Sequence, residues 1–123
     1  MSKKKPRIIK TKVNKEEKMK IDFSKVLKTL DGKPIKNPEG KNLTLKDAVT
    51  NALLSAFDDE KTLAGKDKAY RYHLSERIYG AKEPITLKAE KVTLIKELVG
   101  KAYLPLVVGQ AWKLLDPAEK EED

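Results

Sequence analysis

The chain has 123 residues, with 27 Lys and Arg against 19 Asp and Glu and no cysteine. That length suits one domain able to bury a core without covalent staples. The lack of cysteine excludes disulfides, thiolate zinc sites and cysteine nucleophiles. Apolar runs such as Leu106-Val107-Val108 stop at three residues, and the lysine-rich start has no apolar stretch behind it, so neither a spanning helix nor a secretory signal is read here and the chain is expected in the cytoplasm.

The positive charge is concentrated at one end. Residues 1–20 hold nine cations (Lys3, Lys4, Lys5, Arg7, Lys10, Lys12, Lys15, Lys18 and Lys20) against Glu16 and Glu17, a net of +7 out of +8 for the whole chain. With only Ile8, Ile9 and Val13 as larger aliphatics, this segment cannot bury enough surface to offset its ordering entropy, and it reads as a disordered basic arm. Residues 21–115 read as one compact helical domain. Residues 116–123 carry five acids and one lysine and read as a disordered acidic tail.

Within the domain, Asp31-Gly32 between two short β-prone segments predicts a two-residue hairpin turn with positive φ at both central positions. Pro34 confines its strand to an edge. Phe23, Val26, Leu27 and Leu30 also fall at helical spacing, so residues 23–36 admit a helix as the alternative. Asn37-Pro38-Glu39-Gly40 is a second turn. No internal duplication is read at any longer period.

Four helices follow. Thr44 with Asp47 forms a capping box for the first, whose inner face is Leu45, Ala48, Val49, Ala52, Leu53, Ala56 and Phe57. The second spans 66–79, with Tyr70, Leu74 and Ile78 spaced by four and Gly80 at its end. The third spans 87–103, with Val92, Ile95, Leu98, Val99 and Ala102 inward. Pro105 opens the fourth, 105–115, which is apolar nearly all round and is either central to the core or in need of a partner. Gly109 within it predicts a close backbone approach. The fold expected is therefore mainly α, with a short N-terminal β-hairpin on about four helices.

Catalytic chemistry finds little support. His73 is the single histidine, no serine beside it sits in a nucleophile elbow, and it reads as a packing or surface residue. Asp58-Asp59-Glu60 runs into Lys61-Thr62-Leu63, which does not continue a calcium loop. The six glycines form neither a dinucleotide fingerprint nor a P-loop. No enzyme, cofactor or metal is expected.

Three interaction readings remain. Lys3, Lys4, Lys5 and Arg7 in the arm, with Lys68, Arg71, Tyr72 and Tyr79 on the second helix, interleave cations and rings as contacts for nucleic acid or an acidic partner. Val107, Val108 and Trp112 on the fourth helix offer a self-association face. Binding of another protein is the reading preferred over both.

Ile21-Asp22-Phe23 leading to Leu30-Asp31-Gly32-Lys33-Pro34-Ile35, then Leu43-Thr44-Leu45-Lys46-Asp47-Ala48 and Leu94-Ile95-Lys96-Glu97-Leu98-Val99-Gly100-Lys101-Ala102-Tyr103, resembles small bacteriophage and prophage proteins of unknown activity. The likeness covers about residues 20–115. It implies a bacterial or viral cytoplasmic setting and carries over no activity or site residue; the protein partner expected is a host or phage protein.

Overall fold

The computed structural model describes residues 18–117. These form four helices, a two-stranded antiparallel sheet and an N-terminal β-meander, a small mainly α domain. Strand β1 (Lys18–Ile21) pairs with β2 (Ile85–Lys88), in the register Lys18 opposite Lys88 and Ile21 opposite Ile85. Side chains alternate across a strand, so Ile21 and Leu87 point into the core while Lys18, Lys20, Thr86 and Lys88 stay exposed. Strand β1 takes residues 18–20 out of the segment expected to be an arm; residues 1–17 lie outside the described residues. Residues 85–88 are extended, so the third helix starts two residues later than its spacing predicts.

Residues 26–44 form a small three-sided β-unit. The expected hairpin is present, with Lys28 bridged to Pro34, and two further bridges join Lys36 to Asn42 and Val26 to Thr44. Three backbone bonds close a ring: Leu27 N–H donates to Leu43 O, Leu43 N–H to Ile35 O, and Ile35 N–H to Leu27 O. The three residues stand eight apart. Aligned on that spacing, Lys25-Val-Leu-Lys-Thr-Leu-Asp-Gly32, Lys33-Pro-Ile-Lys-Asn-Pro-Glu-Gly40 and Lys41-Asn-Leu-Thr-Leu-Lys-Asp-Ala48 share a lysine, an aliphatic and a carboxylate at matching positions. This duplication escapes a search for long repeats because its period is only one hairpin arm.

The turn differs in detail from the expected type. Thr29 N–H donates to Lys33 O and Gly32 N–H to Thr29 O, a three-residue loop in which Gly32 takes φ +87°. Asn37, Gly40 and Lys41 repeat the pattern, with Gly40 at φ +83°. Pro34 is tolerated because its bridge with Lys28 is flanked by the bonds of Thr29 and Ile35, where no amide of residue 34 is required.

Helix α1 (Leu45–Leu54) starts on the expected capping box and stops at Ser55, so Ala56 and Phe57 lie beyond it. Helix α2 spans Gly65–Gly80, α3 Ala89–Ala102, and α4 Pro105–Leu115 with its proline in the first turn. The main core joins Ile21, Phe23, Val49, Leu53, Ile78, Leu87, Val92, Ile95, Leu98 and Leu115 among others. Leu27, Leu43 and Ala48 make a second cluster under the meander, covered by Tyr103, Val107 and Leu114. Gln110 fastens α4 to the meander: Lys28 N–H donates to its Oε1 at 2.7 Å, and its Nε2 donates to Lys28 O.

Candidate interaction site

Helix α2 presents two sides. Arg71 is 7% exposed and lies on the inward side with Leu74, Ser75 and Ile78. Its guanidinium donates both terminal nitrogens to Glu60, at 2.9 and 2.7 Å, and Lys101 Nζ stands 3.4 Å from the same carboxylate and 3.1 Å from Asp59. Arg71 holds the Glu60 carboxyl down at about 2. The expected contact face is thereby corrected, since Arg71 is committed to Glu60 and Ser75 to the Arg71 carbonyl. Local spacing on α2 could not reveal a partner eleven residues upstream.

Lys68, Tyr72 and Tyr79 are exposed. Tyr79 is 63% exposed with Lys46 Nζ 5.3 Å from its ring centroid, and Tyr72 meets the His73 ring edge-on at 5.5 Å. His73 itself is a surface residue, 3.7 Å from Glu76. Lys3, Lys4, Lys5 and Arg7 lie outside the described residues. A groove of about 510 Å³ runs between the end of α1 and α2, lined by Leu53, Leu54, Phe57, Lys61 and Lys68, with the Glu60–Arg71 pair in its wall. Among the described residues no group of three or more His, Asp or Glu is placed to hold a metal ion, and no helix is long and apolar enough to cross a membrane.

The self-association face is corrected as well. Val107 is half-buried against the meander cluster and Val108 against the main core. Trp112 keeps one face in solvent; its Nε1–H donates to Lys96 O at 3.1 Å and Lys96 Nζ lies 4.8 Å from the ring centroid. Gly109 makes no close approach, for a Cβ built there meets nothing within 4 Å.

What α4 leaves exposed is its first turn. Leu104 is 80% exposed and Leu106 is also open, and across a groove from Leu106 the hairpin tip holds Leu30 at 97% exposure. Lys28, Thr29, Leu30, Pro105, Leu106, Gly109, Gln110 and Lys113 line a groove of about 390 Å³ there, with no carboxylate in its wall. The tip is braced: Thr29 Oγ1 donates to Asp31, Lys33 N–H donates back to Thr29 Oγ1, and Gln110 fixes Lys28. The sequence reading missed this surface because Leu30 falls at helical spacing with Phe23, Val26 and Leu27 and ends a β-prone segment, and neither pattern sets it apart as exposed. No family model matches this chain, and neither a curated protein nor a solved structure matches it.

Proposed function

We propose that this is a non-enzymatic interaction protein that docks a protein partner in the groove between the hairpin tip and the start of α4. The observation that carries the reading is Leu30, almost wholly exposed on a braced loop and sharing a groove with Leu106. Exposed apolar clusters rimmed by polar groups mark binding surfaces. The resemblance to phage proteins favours a host or phage protein in a bacterial cytoplasm.

Charge favours a different protein over a second copy. Lys28 and Lys113 line the groove and Lys33 flanks the tip. A two-fold contact would bring these cations against themselves. A partner with carboxylates around an aliphatic segment meets no such repulsion.

The full chain and its Leu30→Asp/Leu106→Asp variant, compared as baits in bacterial lysate, test this reading. The wild type should enrich an acidic protein that the variant loses. That protein, once purified, should bind the wild type in calorimetry at least tenfold more tightly than the variant. Equal affinity for both, or a concentration-dependent dimer abolished by the two aspartates, would reject the reading.

A further inference from the structure

The sheet places like charges opposite one another. Lys18 on β1 stands directly across from Lys88 on β2, and Lys20 across from Thr86, all on the solvent face. Directly opposed like charges weaken an antiparallel pair. Neutralisation is absent: among the described residues no carboxylate pairs with Lys18, Lys20 or Lys88. Arg77, also exposed, stands beside β2, its Nη2 donating to Thr86 O at 3.1 Å. Two helical turns earlier on that side of α2 is Tyr70, 42% exposed, with Lys91 Nζ 6.0 Å from its ring centroid. Burial raises the Tyr70 hydroxyl above its ordinary range, and the negative charge of Glu90 adds to the shift.

We propose that this face binds the phosphate backbone of single-stranded nucleic acid, with Lys18, Lys20, Lys88 and Arg77 as phosphate contacts and Tyr70 as a stacking surface. Four features of the chain point there. Alternate strand positions such as 18 and 20 lie roughly 6.7 Å apart, so the lysines form a row of point charges, not a bidentate clamp. An exposed aromatic ring among cations suits stacking by an unpaired base. Residues 1–17, which precede β1 in the sequence, hold seven cations against two acids. Finally, the charge opposition at Lys18 and Lys88 costs stability, and an anionic ligand would relieve it. This inference is independent of the groove at α4, and either can fail alone.

The test is fluorescence anisotropy of a labelled 20-nucleotide oligo-dT with the full chain, titrated across salt concentrations. Each phosphate contact adds about 0.7 to the log–log salt slope on a single strand, so Lys18→Gln/Lys20→Gln/Lys88→Gln should flatten the slope by about 2. Tyr70→Leu should weaken binding about fivefold or more and leave the slope unchanged. The triple variant should melt no lower than the wild type, because it removes an opposed pair; Lys88→Gln alone, flattening the slope by about 0.7, serves if the triple variant fails to fold. An unchanged slope in the variants, no binding by the wild type, or polyglutamate bound as tightly as oligo-dT would overturn the proposal.

Discussion

Gly32 closes the hairpin loop at φ +87°, a conformation in which a Cβ clashes with the following carbonyl. Gly32→Ala should therefore destabilise the domain by about 1 kcal/mol in denaturant titration, even though a Cβ at that position meets nothing within 4 Å. Gly109 is the opposite case. It sits in the interior of α4 at an ordinary φ, with open space around it, so Gly109→Ala should stabilise by about 0.5–1 kcal/mol. A loss of stability in that variant would contradict the open geometry at α4. Glu60 makes the domain acid-sensitive. Its carboxyl titrates at about 2 against an ordinary 4.5, because Arg71 hydrogen-bonds the ionised form. The folded state thus takes up this proton less readily than the unfolded chain. The stabilisation is complete above the ordinary value and is lost as pH falls from about 5 towards 2. Allowing for water at the pair, the contribution is about 1–2 kcal/mol, and Glu60→Gln should remove that part of the acid dependence. A variant whose unfolding free energy keeps the wild-type slope over that pH range would show that the pair does not provide it.

At the scale of elements, strand β1 ties residues 18–21 to the core. Truncation after residue 17 keeps all four of its residues, whereas truncation after residue 20 removes three of them, including Met19, which packs on the core. The chain that begins at residue 21 should be less stable than the chain that begins at residue 18 by about 1–3 kcal/mol, read as a lower melting midpoint by circular dichroism. Equal midpoints would mean that the β1–β2 pairing contributes nothing. The helices were legible because their signals are local: the Thr44–Asp47 box, the i, i+3, i+4 faces of α1 and α3, and Pro105 in the first turn of α4. The sheet was not, because Lys18–Ile21 and Ile85–Lys88 are four residues each and lie 63 residues apart, and their shared alternation emerges only on pairing. The octad was overlooked for a related reason, since each arm contributes one buried aliphatic to the ring.

For the whole molecule, the chain separates its surfaces by chemistry. An aliphatic groove lies where the hairpin tip meets α4, a row of cations without a carboxylate partner among the described residues lies on the sheet, and the Arg71–Glu60–Lys101 network is turned to internal use. Composition announced the cations without placing them, and the buried position of Arg71 could not be told from the exposed position of Lys68 three residues earlier. Exposure of Leu30 was illegible for a deeper reason: an aliphatic residue beside a turn is as consistent with a core as with a surface until the tertiary fold is known. The most direct measurement of the central claim is amide hydrogen exchange of the full chain, alone and in complex with the captured acidic partner. The docking account predicts added protection at residues 28–33 and 104–113, with α2 unchanged. Protection confined to α2 or to the sheet, with the hairpin tip exchanging as in the free protein, would contradict it.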